Sequence, residues 1–119
     1  MTVVVIGSVT WDVAAFASRL PSPGETLLGS GYATGLGGKG ANQAAAAAML
    51  GLTSKFFGRV GNDEFGQAVK AAFTDFNLDP SGLVIDLDAA SALGVILIGA
   101  DGENAIIQAP GANRQMDQT

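Results

Sequence analysis

The residues best suited to hold a ligand are the run Gly-Gly-Lys-Gly-Ala-Asn-Gln-Ala at positions 37–44. Its three glycines allow another group to approach the backbone closely, and the alanines that follow are strong helix formers. Lys39 places a cation at the predicted helix start, where Asn42 adds two hydrogen-bond donors and one acceptor. The free N–H groups of such a helix start can bind a polar or anionic ligand. The alternative is a tight turn that lets the helix pack closely on a sheet.

Two nucleotide-binding motifs are only superficially similar to this run. Residues 35–40 fit the spacing G-x-G-x-x-G, but in dinucleotide-binding folds that motif follows the first strand directly and an acidic residue lies on the next strand. Here a long segment intervenes, and the next predicted strand carries Phe56, Phe57 and Arg59. A P-loop is excluded as well, because Lys39 is followed by glycine instead of serine or threonine.

Asp12 is the second candidate for ligand binding, just past the end of the first predicted strand and beside Thr10 and Trp11. In open parallel sheets, ligands bind at the carboxyl ends of the strands. A carboxylate at that edge can accept hydrogen bonds from two hydroxyl groups of a polyol, which makes sugar recognition chemically reasonable. The alternative is an aspartate that only forms a turn or caps a helix.

The order of the elements indicates an α/β fold, with a mostly parallel sheet flanked by helices and a small antiparallel accessory sheet. The predicted strands are 3–6, expected to be fully buried, and 54–60, 83–85, 93–98 and 104–108. The predicted helices are 41–50 and 64–75, the second with Asn62 or Asp63 as its N-cap. Residues 19–31 predict an inserted flap, with strand-like pieces around 26–28 and 32–34.

The composition indicates one domain of 119 residues that is unusually apolar. Charged residues make up 14% of the chain, against about 25% in an ordinary soluble domain. Hydrophobic residues reach 48%, and the mean hydropathy is +0.34. This profile is typical of an interior piece of a larger protein, or of a subunit with an extensive interface.

The charge and residue counts exclude several classes of function. With a net charge of −5 and six lysines and arginines, nucleic acid and anionic membranes are poor partners. The absence of cysteine excludes disulfides and zinc–cysteine sites, and the absence of histidine removes the commonest metal ligand and general base. We predict no metal site. No signal peptide and no apolar stretch of about 20 residues is found, so a cytoplasmic location is expected.

Five segments together resemble the ribokinase family of ATP-dependent carbohydrate kinases, also called the PfkB family. Two of these segments carry no functional signal by themselves. Residues 58–66 predict the end of a strand followed by a helix cap, and residues 111–113 are too short to interpret. The five segments occur in the family's order and are Gly7–Asp12, Pro23–Thr26, Gly37–Ala44, Gly58–Gly66 and Gly111–Asn113. The resemblance implies that residues 1–119 are the N-terminal part of a ribokinase-like α/β domain. It also implies lid segments at about 23–36 and 92–109. By the same resemblance, the C-terminal nucleotide-binding half of the family's proteins lies outside residues 1–119.

The resemblance also implies which residues bind the substrate. Asp12 is expected to bind sugar hydroxyls, and Gly38, Lys39 and Asn42 to line the same site. The loop between these residues contains the two remaining candidates of this run, Gly40 and Ala41.

Two neighbours of Asp12 depart from the family pattern. The family's ribokinases commonly have asparagine where this chain has Thr10, and a threonine offers one hydroxyl in place of an amide. This departure puts ribose itself in doubt and leaves a related pentose or hexose open. Trp11 is bulkier than the usual residue and is expected to narrow the pocket or to stack on the sugar ring.

By the same resemblance, the complete enzyme transfers the γ-phosphoryl group of ATP, with Mg²⁺, to a sugar hydroxyl. The family's catalytic aspartate lies in a Gly-Ala-Gly-Asp-type motif that does not occur here, so no catalytic residue is predicted in this chain. The chain alone is expected to bind no cofactor and to be inactive. A homodimer formed through the lid is expected. The alternatives are a non-catalytic sugar-binding or dimerisation module, and part of a nucleoside kinase in which Trp11 meets the base.

Overall fold

Two β-sheets organise the chain, which a computed structural model describes over residues 1–116. The strands are β1 (Thr2–Ile6), β2 (Thr10–Ala17), β3 (Gly31–Gly37), β4 (Thr53–Gly61), β5 (Leu83–Asp86), β6 (Leu93–Gly99) and β7 (Asn104–Ala109). The helices are α1 (Lys39–Met49) and α2 (Glu64–Asp75), with short 3-10 turns at Pro80–Gly82 and Gly111–Gln115. Within this described part, no helix is long and apolar enough to cross a membrane.

The first sheet is parallel, in the order β1–β4–β5, and carries both helices on one face. β4 lies at its centre and points alternate side chains, among them Phe56 and Val60, into the core. Phe56 meets Phe73 of α2 edge to face, with ring centroids 5.4 Å apart. The core consists of Val9, Ala41, Ala44, Ala45, Phe56, Val60, Val69, Phe73, Leu78 and Leu83. The alanines of α1 therefore serve close packing on the sheet.

The second sheet has four strands in the order β3–β2–β6–β7. The strands predicted at 93–98 and 104–108 form an antiparallel hairpin at its edge, β6–β7, whose turn uses Gly102 at φ +85°. β2 also pairs antiparallel with β3, but it pairs in parallel with β6, so the accessory sheet is mixed. β2, the strand that carries Asp12, is not among the strands predicted from the sequence.

Two other sequence predictions differ from the structure. The first strand is not fully buried: Val4 and Ile6 are exposed, because β1 is an edge strand and only one face of its sheet is covered within residues 1–116. Residues 26–28 form no strand and belong to the irregular connection between β2 and β3. In that connection Arg19 forms a bidentate ion pair with Glu25, which lowers the pKa of Glu25 to about 2.

Asp63 is confirmed as the N-cap of α2, and it also anchors the crossing between the two sheets. Its Oδ1 accepts hydrogen bonds from the Gly66 N–H at 2.8 Å and from the Ser91 hydroxyl at 2.6 Å. Its Oδ2 accepts the Ser91 N–H at 2.8 Å. Burial acts to raise the pKa of Asp63, but these hydrogen bonds outweigh it and hold the pKa below its ordinary value. The segment that leads into β6 is thereby fixed to the start of α2.

Candidate functional site

The Asp12 carboxylate is half-buried near the start of β2 and is held at one oxygen only. The Thr10 hydroxyl donates a hydrogen bond of 2.7 Å to Asp12 Oδ1. The two side chains lie on the same face of the sheet, since residues two apart in a strand point the same way. No hydrogen bond from residues 1–116 reaches Oδ2. This oxygen is available to a ligand hydroxyl.

Two glycines leave the space that this carboxylate occupies. Gly37 of β3 pairs with Thr10, and Gly94 of β6 pairs with Asp12. A Cβ atom at Gly37 would overlap the Asp12 carboxylate and would come within 2.6 Å of Thr10 Oγ1, and a Cβ at Gly94 would overlap Asp12 Oδ1. On the other side Gly35, the β3 partner of Asp12, has no atom within 4 Å of the position of its missing Cβ. The carboxylate therefore lies over glycine backbone with open space beside it.

The start of α1 packs directly on the connection between β1 and β2. The Ala41 N–H donates to the Ser8 carbonyl at 3.1 Å. A Cβ on Gly40 would lie 3.0 Å from Gly7 Cα and from Ser8 N, which is tighter than most real Cβ contacts. Gly38, the residue before the helix, has φ +93°. The close-packing role considered for this glycine run is therefore present in the structure.

Lys39 and Asn42 lie exposed in the first turn of α1. Lys39 is two residues after Gly37, so their Cα atoms are at most about 7.6 Å apart. Gly38 accepts the Asn42 N–H at 2.9 Å, which places Asn42 one turn further along the helix. Because Gly37 contacts the Asp12 carboxylate, the start of α1 and that carboxylate belong to one region of the molecule.

Three of the sequence candidates do not present a side chain to this region. Trp11 points to the opposite face from Asp12, since strand residues alternate, and it packs with Leu36 against the core. Ala41 is completely buried in that core, and Gly40 is buried against the β1–β2 connection. Stacking of Trp11 on a ligand beside Asp12 does not agree with this placement. Gly40 and Ala41 position the helix and present no polar side chain there.

Asn113 is a further residue of this region, and no role for it follows from the sequence alone. Its Oδ1 accepts the Val9 N–H at 3.1 Å, and its Nδ2 donates to the Val9 carbonyl at 3.0 Å. The amide thus pairs with the backbone of Val9 as a neighbouring strand would, immediately before Thr10 and Asp12. The 3-10 turn that carries Asn113 is itself fixed by the Ala112 N–H, which donates to the Ala90 carbonyl at 2.7 Å.

We expect Asn113→Ala to lower the free energy of unfolding by about 2 kcal/mol, because it leaves both backbone groups of the buried Val9 without partners. Chemical denaturation of the protein measures this, with Asn104→Ala, an exposed position on β7, as the matched control. Equal denaturation midpoints for the two variants would show that the pairing with Val9 contributes nothing.

Comparison with known proteins gives a consistent result over the whole length. The model of the pfkB family of carbohydrate kinases matches residues 1–119. The chain is 35% identical over 117 residues to the ribokinase of Haemophilus influenzae, covering 98% of this chain and 38% of the relative. It is 38% identical over 111 residues to the ribokinase of Mus musculus, covering 93% of this chain and 34% of the relative. The chain thus spans little more than a third of these curated relatives.

Solved structures show the same likeness. The ribokinase of Arabidopsis thaliana, complexed with ribose and ATP, superposes with a TM-score of 0.81 at 35% identity, over 93% of this chain and 36% of that one. The ribokinase of Giardia lamblia gives a TM-score of 0.85 at 30% identity, over 98% and 36%. The fold is therefore ribokinase-like α/β. The chain belongs to the PfkB family of carbohydrate kinases.

Proposed function

We propose that this chain is the N-terminal, sugar-binding part of an ATP-dependent carbohydrate kinase of the ribokinase type, which phosphorylates a sugar hydroxyl. The observation that carries the proposal is the Asp12 carboxylate, held by Thr10 at one oxygen and open at the other, beside the start of α1. The ribokinases among its relatives, one of them solved with ribose and ATP, support the substrate class.

The chemistry of the group suits a polyhydroxylated guest. An ionised carboxylate accepts hydrogen bonds only, and such charge-assisted bonds are stronger than neutral ones. Asp12 Oδ2 is the acceptor for sugar hydroxyls, while the Thr10 hydroxyl fixes the orientation of the carboxylate. In this proposal Lys39, Asn42 and the Gly38 backbone contact the same sugar from the helix side. The substrate is a pentose or hexose, and Thr10 distinguishes the site from the family's usual asparagine.

In this proposal, ATP, the phosphoryl donor, is bound by residues of the complete kinase that lie outside this chain. Phosphoryl transfer needs a positioned triphosphate, a metal ion and a group that orients the attacking hydroxyl. Across residues 1–116, no three acidic, histidine or cysteine side chains are grouped to hold a metal ion. ATP and Mg²⁺ are therefore assigned to further residues of the complete kinase, as is the catalytic base, and the chain alone is expected to be inactive. The proposed location of this enzyme is the cytoplasm.

The uncovered face of the parallel sheet supports the existence of such further residues. It exposes Val4, Ile6, Phe57 and Val84, each more than 40% accessible. Contiguous apolar surface of this kind usually marks a place where other protein packs. We assign this face to the remaining part of the kinase.

The second sheet is the lid in this proposal. Its Asp12 face covers the sugar, and its opposite face exposes Tyr32, Val95 and Ile107. An apolar face of this kind can pair with a second copy. We therefore propose a homodimer formed through the lid sheets, with strands β2 and β3 and the hairpin of β6 and β7 from each copy.

The test is activity of the complete kinase that contains this chain. With ATP and Mg²⁺, ADP release in the presence of a panel of pentoses and hexoses should identify at least one sugar substrate. Adenosine and other nucleosides should give no turnover. Sugar binding without any ADP release would indicate a non-catalytic module instead, and turnover with nucleosides alone would indicate a nucleoside kinase.

A further inference from the structure

A row of four residues crosses the second sheet at the level of Asp12. Asp12 pairs with Gly35 on one side and with Gly94 on the other, and Gly94 pairs with Gln108 of β7. Residues paired across neighbouring strands point to the same face. The overlap between Asp12 Oδ1 and the position of a Gly94 Cβ shows that the carboxylate lies on that face. Gln108 therefore shares the face of the Asp12 carboxylate.

Gly94 leaves a gap between the two polar side chains. Neighbouring strands are about 4.8 Å apart, so the Cα atoms of Asp12 and Gln108 are separated by about 9.6 Å. Gly94 contributes no side chain to this interval, Asp12 Oδ1 reaches over Gly94 from one side, and Gln108 is exposed on the other. A sugar ring that lies above this row and contacts the carboxylate is therefore within reach of the Gln108 amide.

The next row on the same face is apolar. It consists of Ala14, Ile96 and Ile106, which are paired in register across β2, β6 and β7. A sugar ring has hydroxyl groups at its edge and C–H groups on its faces. A polar row beside an apolar row matches both kinds of surface, so the surroundings of Gln108 suit the ligand that Asp12 is proposed to bind.

Gln108 supplies a hydrogen-bonding capacity that the Asp12 side of the gap lacks. The Thr10 hydroxyl already donates to Asp12 Oδ1, and the carboxylate can only accept. The amide of Gln108 can both donate and accept, so it can bond a hydroxyl in either orientation. We propose that Gln108 is a specificity-determining residue that binds a second hydroxyl of the sugar, across the ring from Asp12. This inference depends on the sugar-kinase function proposed above.

The experiment compares Gln108→Leu and Gln108→Met with Gln67→Leu in the complete kinase. Gln67 is an exposed glutamine on α2, so the control makes the same chemical change away from the gap. We expect both Gln108 variants to raise KM for the best sugar about tenfold, the effect of about one lost hydrogen bond. We also expect them to lose most of the discrimination between sugars that differ at one hydroxyl, with KM for ATP unchanged.

The outcomes separate this inference from the proposed function. Absence of sugar phosphorylation by the unmodified kinase would overturn both. If the unmodified kinase is active, and the Gln108 variants match Gln67→Leu in sugar KM and in discrimination, only the role of Gln108 is overturned. Equal melting temperatures of the three variants are expected, since both positions are exposed, and they tie a change in KM to the site.

Discussion

Asp12→Asn in the complete kinase is expected to raise KM for the sugar by about 100-fold or more. The substitution keeps the shape of the side chain, so the Thr10 hydroxyl can still donate to the remaining oxygen. It removes the negative charge and replaces an acceptor by an NH₂ group. Hydrogen bonds to a charged group contribute about 1.5–3 kcal/mol each, and 100-fold corresponds to about 2.8 kcal/mol. Steady-state kinetics with the sugar varied, supported by calorimetric titration of the sugar, measures the effect.

Asp75→Asn is the matched control, because Asp75 is an exposed aspartate in the last turn of α2. It makes the same change in charge and shape away from the Asp12 region and should leave the sugar KM unchanged. KM for ATP should be unaffected by either substitution. A sugar KM for Asp12→Asn within twofold of the control would show that the carboxylate does not bind the substrate.

The elements that follow local rules are predictable from the sequence. The helix predicted at 64–75 is α2 with the same bounds, because an N-cap carboxylate and a 3.6-residue apolar period act within the segment itself. The last hairpin is predicted for a similar reason, since Asp101-Gly102 specifies a tight turn between two β-branched runs. Local chemistry is sufficient for both.

β2 is not predictable in this way. Its sequence, Thr-Trp-Asp-Val-Ala-Ala-Phe-Ala, alternates polar and apolar residues over its first four positions only and then continues with three alanines, which are poor strand formers, and one phenylalanine. Its strand conformation comes from pairing on both sides, with β3 and with β6, and β6 lies about 80 residues further along the chain. The position of Trp11 follows from the same pairing, because only a strand at Asp12 forces its neighbour to the opposite face.

The candidate site is predictable from the sequence only in part. The sequence identifies Asp12 and the glycine run, because their residue types carry the chemistry. It does not identify Asn113 or Gln108, since the first acts on Val9 through a contact 104 residues away and the second depends on strand register. The Gly111-Ala112-Asn113 motif is the one local signal for Asn113, and it shows no partner by itself.

Gly38→Ala is expected to lower the free energy of unfolding by about 4 kcal/mol and to impair sugar binding as well. Two causes act at this position. Gly38 has φ +93°, a conformation that costs an alanine about 1–3 kcal/mol. The added Cβ would also lie 2.7 Å from the Ser8 carbonyl oxygen and 2.8 Å from Val9 Cα, and such overpacking costs about 1–3 kcal/mol more. Chemical denaturation and the sugar KM of the complete kinase measure the two effects.

Gly51→Ala is the control for a glycine at positive φ without a clash. Gly51 follows α1 with φ +85°, but no atom lies within 4 Å of the position of its missing Cβ. It therefore carries the cost of the backbone conformation without the clash, about 1 kcal/mol, and should leave the sugar KM unchanged. The difference between the variants measures the clash of α1 with the β1–β2 connection together with the extra backbone strain of Gly38, at φ +93° and ψ +136°. If Gly38→Ala destabilised the protein no more than Gly51→Ala and bound sugar normally, close approach of that helix would not be what positions Thr10, Asp12 and Lys39.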